Sequence, residues 1–345
     1  MRGTVRALAG RKKRPMSQAE TRIQPALAVR RSDKTDIAVY AAIGVSALVL
    51  WWVTRAHVAW LPFWAPWEFS FVEYLSAWLG LFWYLRGLAR TPAGEHPGFG
   101  RKLAFFAGLA LIYAVMETRY EYLAEHQFFF NRIQHVSMHH IGPFLLALAW
   151  PGETLLRGMP AWLVRVIKHP LVVRPVHIIQ QPVLAGTLFA GLVVFWLIPP
   201  IHFHAMIDPR LFSLMNWSMV VDGILFWTLV LDPRPKPPAR VSFGGRAALS
   251  MLTIFPQIVI GAWIALSGQD LYPFYDLCGR IYPELGAHYD QTVGGLIIWI
   301  PPGMMGILGL VLVLNNLRKI EEKEVHDEGE EQAGGMVINS SQWTG

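Results

Sequence analysis

Residues 292–316, TVGGLIIWIPPGMMGILGLVLVLNN, form an apolar run without a single Asp, Glu, Lys or Arg. An α-helix needs about 20 such residues to cross the hydrocarbon core of a bilayer. Only helices and closed barrels satisfy their backbone hydrogen bonds in lipid. The apolar residues here are continuous rather than alternating, which argues against a barrel strand. The stretch therefore predicts a membrane-spanning helix.

The rest of the chain has the same character. Of its 345 residues, 53% are hydrophobic and only 16% are charged, and the mean hydropathy is +0.34. These values exclude a soluble domain of this size. We predict an all-α fold, a polytopic membrane helical bundle with about 7–8 transmembrane helices. By apolar length, the predicted helices are 36–54, 70–88, 103–118, 130–150, 181–198, 211–231, 247–267 and 292–316.

The predicted loops alternate along the chain between those rich in lysine and arginine and those poor in them. The side that carries both termini holds 25 of the 30 Lys and Arg residues. The positive-inside rule then places both termini in the cytoplasm. We expect the bundle to lie in a bacterial inner (plasma) membrane. The same distribution assigns the net charge of +6 to contact with the lipid bilayer rather than with nucleic acid.

Three regions follow from this topology. Residues 1–35 form a basic cytoplasmic arm without hydrophobic periodicity, and we predict that it is disordered. Residues 36–316 form the transmembrane helical domain, and residues 317–345 form an acidic polar tail, also predicted to be disordered. Cys278 is the one cysteine, which excludes an intrachain disulfide and a CxxC motif.

The segment QHVSMHHIGPF, residues 134–144, carries three histidines into a predicted membrane helix, where ionisable side chains are costly and usually functional. Other polar residues fall at the same predicted depth, at the non-cytoplasmic ends of the helices, with one acid deeper in the sixth. The primary metal candidates are His135, His139, His140, His202, His204 and Asp290, and the secondary ones are Asp222, Gln291, Asn216 and Met215.

Local spacing supports a metal site. His135 and His139 are separated by four residues and would share a helix face, whereas His140 would face a different neighbour. Pro199-Pro200 should end the fifth helix, so that His202 and His204 point the same way from an extended segment. Imidazole with methionine thioether favours Cu(I). The alternative is that these histidines are hydrogen-bonded core residues without a ligand.

Several stretches carry a resemblance to a known family. NRIQHVSMHHIGPFLLALAWP (131–151) resembles the caa3-type CtaG family of membrane cytochrome c oxidase assembly proteins. The matching order continues through WLIPP, DGILFWTLVLDP, PQIVIGAWIALSGQDLYPFY and DQTVGGLIIWIPPGMM, over roughly residues 60–316. The resemblance implies an assembly factor for haem–copper oxidases, one that handles copper for the haem–copper centre.

The chain would be a divergent member. His135 matches the second histidine of the family's His-x-x-x-His element, but Asn131 occupies the first position. Leu197 stands where the family often has a histidine. Phe212, Met215 and Asn216 replace a His-x-x-Glu-His element, whereas Asp290 and Gln291 match. Either the extra histidines rebuild the site nearby, or this branch keeps the scaffold without metal.

The leading hypothesis is a non-enzymatic assembly factor and metal chaperone that handles copper at the outer leaflet. Its expected partners are cytochrome c oxidase subunits and a periplasmic copper donor. A haem- or copper-containing membrane oxidoreductase is the second possibility, although haem b with two histidine ligands would need facing histidines at matched depth. A copper transporter is the third, but polar residues do not continue toward the cytoplasm in the sequence.

Overall fold

The computed structural model describes residues 34–335, which form helices joined by turns and loops. No strand forms in that range, and an isolated antiparallel bridge joins Pro66 and Thr118. Most of the predicted basic arm, residues 1–33, and the end of the predicted tail, residues 336–345, lie outside the described residues. The all-α prediction is confirmed for the described part of the chain.

The helices follow one another with short connections. They are α1 (Lys34–Ala56), α2 (Phe71–Ala89), α3 (Phe99–Glu117), α4 (Tyr120–His126), α5 (Phe128–His135), α6 (Gly142–Ala149), α7 (Gly152–Gly158), α8 (Ala161–Ile167), α9 (Pro170–Ile179), α10 (Pro182–Leu197), α11 (Pro199–Ile207), α12 (Pro209–Val230), α13 (Phe243–Leu252), α14 (Ile254–Leu266), α15 (Phe274–Cys278) and α16 (Gly286–Gly335). A π-helical segment, Val136–Ile141, joins α5 to α6, and 3₁₀ turns form at Val58–Trp60, Ala93–Glu95 and Pro283–Leu285.

Five helical segments of the described chain are long and apolar enough to cross a membrane. They are Lys34–Ala56, Phe99–Glu117, Pro209–Val230, Phe243–Leu266 and Pro283–Asp327. A sixth span forms if α9 and α10, which meet at a bend of 75°, count as one. The structure thus supports five or six spans by length and composition, against the seven to eight predicted.

The two predicted helices that fail this test are 70–88 and 130–150. Both exist as helical structure, but polar side chains lower their hydropathy. Glu73 and Arg86 lie in α2, and the segment around Asn131 to His140 is divided into α5, a π-helical turn and α6. At the other end of the chain, α16 continues to Gly335, so residues 317–335 are helical where we predicted disorder.

The π-helical turn, Val136–Ile141, has a local cause. Pro143 lacks an N–H, and its ring would clash with the carbonyl of His139 in a regular α-helix. The chain widens instead, and the Gly142 N–H donates to the carbonyl of Ser137, five residues back. π-turns inside helices occur frequently at functional sites.

One helix approaches this turn unusually closely. A Cβ atom added to Gly223 of α12 would lie 2.3 Å from the carbonyl oxygen of His139. Only glycine fits at that distance. The contact lets α12 pass directly against the π-helical turn and brings its neighbouring residue, Asp222, within reach of the histidines.

Candidate functional site

His139 is held by both of its ring nitrogens. Its Nε2 lies 3.1 Å from Oδ2 of Asp222, and its Nδ1 lies 3.2 Å from Nδ1 of His140. The His139 side chain has no exposed surface, and its ring stacks on Phe189 at 4.3 Å between centroids. A chain of three polar side chains, Asp222–His139–His140, therefore crosses from α12 into the π-helical turn.

His135 and His140 face the same small cavity, of about 10 Å³, which Met219, Gln257 and Arg132 also line. The Nε2 atoms of both histidines are buried, and by distance and angle neither has a hydrogen-bond partner among the described residues. The side chain of Gln257 nevertheless lies close enough to interact with His140. We call this space the histidine pocket. Its volume is near the smallest that holds a single water molecule.

The π-helical turn changes which histidines share a side. An α-helix would place His135 above His139, four residues on. The π-helical turn has wider winding, with hydrogen bonds between residues five apart. In it, His135 and His140 line the pocket while His139 turns toward Asp222. The predicted pairing of faces was wrong because the turn could not be read from the sequence spacing.

His202 is buried near this group, and it interacts electrostatically with His135. Its Nε2 lies 3.0 Å from the hydroxyl of Tyr275, and its ring meets Tyr272 edge-on. Its other nitrogen, Nδ1, has no hydrogen-bond partner in the described chain.

His204 lies apart from the pocket. It is exposed, and its Nδ1 lies 2.7 Å from the carbonyl of Pro200. The prediction of an extended segment was wrong, because α11 begins at Pro199 and carries both histidines. Residues two apart on a helix point about 200° apart, so His202 turns inward while His204 turns outward.

The side chains of Asp290 and Gln291 are buried, and both are hydrogen-bonded to nearby backbone groups. The carboxylate of Asp290 accepts from the N–H groups of Phe128 at 3.0 Å and Phe129 at 2.7 Å, and it pairs with Arg280. It therefore caps the start of α5.

The Gln291 side chain ties the loop after α14. Its Oε1 accepts from the N–H of Leu271 at 2.8 Å, and its Nε2 donates to the carbonyls of Ile264 and Gln269. Asp290 thus positions the histidine-bearing helix α5, whereas Gln291 holds the loop after α14.

The two remaining secondary candidates lie in α12. Asn216 is buried, and its Oδ1 has no hydrogen-bond partner among the described residues. Met215 is fully buried in the apolar cluster that includes Met116, Met138 and Met219. Of these methionines, Met219 lines the histidine pocket.

Sequence reasoning missed two polar residues of the pocket. Arg132 is buried, its guanidinium lies 4.8 Å from the centre of the Phe128 ring, and it donates to Oδ1 of Asn131. Gln257 is also buried and has an unpartnered Oε1. Burying an arginine or a glutamine in an apolar membrane helix costs free energy, and such residues are often functional. This cost could have identified both residues from the sequence.

The ligand set of the pocket is small. Within residues 34–335, no group of three or more His, Cys, Asp and Glu side chains is placed to hold one metal ion. Two imidazole nitrogens and one thioether remain as free donors. Such a set suits a soft ion of low coordination number, such as Cu(I), better than a four-coordinate zinc site.

Comparison with known proteins adds a family. The model that describes the cytochrome c oxidase caa3 assembly factors (Caa3_CtaG) matches residues 82–319. Searches of curated proteins and of solved structures found no match. The match covers more than half of the chain and confirms the resemblance drawn from the sequence. The chain therefore belongs to the cytochrome c oxidase caa3 assembly factor family, Caa3_CtaG.

Proposed function

We propose that this chain assists cytochrome c oxidase assembly by carrying Cu(I), as cargo, between His135 and His140. Met219 would supply a third, weaker ligand. The observation that carries the proposal is that His135 and His140 line one cavity of about 10 Å³, and that the buried Nε2 atom of each lacks a hydrogen-bond partner among the described residues. A buried polar atom without a partner is costly, and a bound ion would satisfy both.

The chain of side chains behind the pocket prepares one of these ligands. If ionised Asp222 accepts a hydrogen bond from the Nε2–H of His139, then Nδ1 of neutral His139 has a free lone pair. The Nδ1–H of His140 donates to it, which leaves Nε2 of His140 unprotonated and facing the pocket. Such carboxylate–histidine partners commonly set the tautomer of a metal ligand.

The size of the pocket favours an ion over a larger group. About 10 Å³ has no space for a porphyrin ring between the histidines. Imidazole and thioether are both ligands that copper accepts, and the soft thioether favours Cu(I). These points support copper as the cargo over haem b as a cofactor.

Arg132 supports the release of the cargo. The positively charged Arg132 lines the pocket that would hold the ion. The carboxylate with which it interacts, that of Asp290, does not line the pocket. Like charges in a medium of low dielectric constant repel strongly. A carrier that must transfer copper to an oxidase subunit benefits from this limited affinity.

The proposal includes a topology. The interrupted segments 70–88 and 130–150 would also span the membrane, giving eight spans, with both termini in the cytoplasm of a bacterial cell. The histidine pocket would then lie near the outer leaflet of the inner membrane, open to a periplasmic copper donor. Reporter fusions after Arg174 and Arg240 should read cytoplasmic and one near Arg280 external. A cytoplasmic signal near Arg280 would refute this arrangement.

The function is tested by copper binding and oxidase activity together. Purified protein under reducing conditions would compete with a Cu(I) chelator. His135→Ala and His140→Ala should each weaken binding, by more than the about 10–100-fold that changes of outer partners cause. Host membranes with either variant should lose oxidase activity at normal haem content, and added copper should partly restore it.

His177→Ala is the matched control, because His177 is an exposed histidine of α9 distant in sequence from the pocket. It should change neither measurement. If the double variant at His135 and His140 binds Cu(I) and supports oxidase activity as the parent does, copper delivery through this pocket is wrong. The chain would then assist assembly through protein contacts alone.

A further inference from the structure

A second cavity lies on the other face of α12. It has a volume of about 170 Å³ and shares no lining residue with the histidine pocket. Trp217, Val220 and Ile224 of α12 line it, and they lie along one helix face. Its lining is mostly apolar, and the polar residues in it include Glu73, Ser76 and Glu117. We call this space the glutamate cavity.

Glu117 has no positively charged partner among the described residues. Its side chain is fully buried, and by distance and angle neither carboxylate oxygen makes a hydrogen bond within the described chain. The polar groups close enough to interact with it are another carboxyl group, that of Glu73, and the backbone of Ser70. Glu117 is also the last residue of α3, where the helix dipole is negative. A buried carboxylate in that position is strongly destabilising unless a positive group pairs with it.

Further carboxyl groups increase the negative potential. Glu73 of α2 interacts electrostatically with Glu117. Glu121 of α4 interacts with both, and with Glu68 and Glu125. The nearest sequence cation, Arg119, is engaged elsewhere, since its guanidinium donates to the carbonyl of Val58 and lies over the ring of Trp67.

We propose that the glutamate cavity binds a small amphiphilic cation, a primary ammonium group on a short hydrocarbon chain. The ammonium group has three hydrogen-bond donors and a positive charge, which complement the free oxygens of Glu117. The hydrocarbon chain would lie along Ile112, Leu146 and Val220. The rings of Tyr113 and Trp217, which also line the cavity, can stabilise a cation through their faces.

Two simpler occupants fit the cavity less well. Water molecules inside proteins need two to four polar partners each, and most of this wall offers none. A bare metal ion would need more oxygen ligands than two carboxyl groups supply. The ammonium group could reach the site on a free amine or on the headgroup of an aminolipid, since the recognised chemistry is the same.

The test uses the full-length protein in detergent and two ligands of equal length, hexylammonium and hexanol. Calorimetry should show saturable binding of hexylammonium and much weaker binding of hexanol. Glu117→Gln keeps the shape of the side chain but removes the charge, and it should weaken hexylammonium binding about 30-fold or more. Glu284→Gln, at an exposed acid, should leave binding unchanged.

A second variant guards against misfolding of the first. Val220→Phe fills the apolar part of the cavity without touching the carboxyl groups, and it should also abolish binding. Three results would overturn the proposal. The first is equal affinity for hexylammonium and hexanol, and the second is unchanged hexylammonium affinity in Glu117→Gln. The third is a lack of saturable hexylammonium binding to the parent protein. In nanodiscs, phosphatidylethanolamine that competes with hexylammonium for the cavity would identify an aminolipid as the source of the ammonium group. A lack of competition would identify a free amine. Copper binding by the histidine pocket is measured separately, so each proposal can fail alone.

Discussion

His139 and Asp222 form a buried pair, with Nε2 and Oδ2 3.1 Å apart, that links the π-helical turn to α12. The pair joins residues 83 positions apart in the chain. It depends on two neighbours that are not polar, because Gly223 admits the backbone of the turn and Pro143 causes the turn to form. The geometry of the histidine pocket therefore rests on small and cyclic residues as much as on its imidazoles.

Gly223→Ala should damage both stability and the pocket. The new Cβ would lie 2.3 Å from the carbonyl oxygen of His139, so α12 must move away from the turn. Overpacking of this kind costs about 1–3 kcal/mol. The thermal unfolding temperature in detergent should fall, together with Cu(I) affinity. Gly191→Ala is the control, since a Cβ there meets nothing within 4 Å, and it should not lower either quantity.

Asp222→Asn should weaken Cu(I) binding about 10–100-fold, the effect typical of losing a partner that orients a metal ligand. The amide can donate as well as accept, so His139 is no longer required to donate from Nε2, and His140 can present a protonated Nε2 to the pocket. Chelator competition measures the change. Glu95→Gln, which alters a partly exposed ion pair with Arg157, should leave copper affinity unchanged. Equal affinity in Asp222→Asn and the parent would contradict the assigned tautomer.

Arg132→Gln should have the opposite effect and tighten Cu(I) binding, because it removes a positive charge from the wall of the pocket. Its side chain keeps a hydrogen-bond donor for Asn131. Slower transfer of copper to a chelator in a stopped-flow experiment should accompany the gain in affinity. Weaker binding by a variant that unfolds at the parent's temperature would show that Arg132 does not oppose the cargo.

Asp290→Asn separates a capping role from a ligand role. The variant loses charge-assisted bonds to the N–H groups of Phe128 and Phe129 and the pair with Arg280. We expect a loss of about 1–3 kcal/mol in unfolding free energy. Copper bound per folded molecule should stay the same. A selective loss of copper at unchanged stability would instead return Asp290 to the ligand set.

Protein stability should fall between mildly acidic and neutral pH because of α4. Burial, with a contribution from Glu68, raises the pKa of Glu125 from 4.5 to about 7. Burial and neighbouring carboxylates also raise the pKa of Glu121 well above 4.5. The folded protein then binds these protons more tightly than the unfolded chain, so the free energy of unfolding decreases as pH rises from 4.5 to about 7.

Thermal unfolding at pH 5 and pH 7.5 measures this dependence on pH. Glu125→Gln should reduce the difference between the two pH values, since the amide cannot titrate. Glu284→Gln serves as the exposed control. An identical pH dependence in Glu125→Gln and the parent would show that Glu125 does not contribute to it.

Apolar length predicted where the helices lie, and the cost of burying polar groups singled out His135, His139, His140 and His202. Both signals are local, because each depends on the composition of one segment. The bounds of α12 and of the span Phe243–Leu266, which joins α13 and α14, consequently came within a few residues of the predicted helices.

What the sequence could not supply was conformation that depends on two elements at once. The π-helical turn needs Pro143 in the same helix and Gly223 in another before the histidine faces can be assigned. His204 was placed inward because the two prolines after Ile198 were expected to end a helix. Proline is equally suited to begin one, and α11 starts at Pro199.

The π-helical turn also makes the number of residues between Val136 and Ile141 a constraint in itself. Each residue of a helix advances the direction of its side chain by about 100°. Removing one residue from the turn would restore ordinary α-helical winding and rotate α6 relative to α5, even if every remaining side chain were kept. A substitution in the turn changes only one side chain. A one-residue insertion or deletion would instead rotate the helix end capped by Asp290 relative to the helix that packs Phe144.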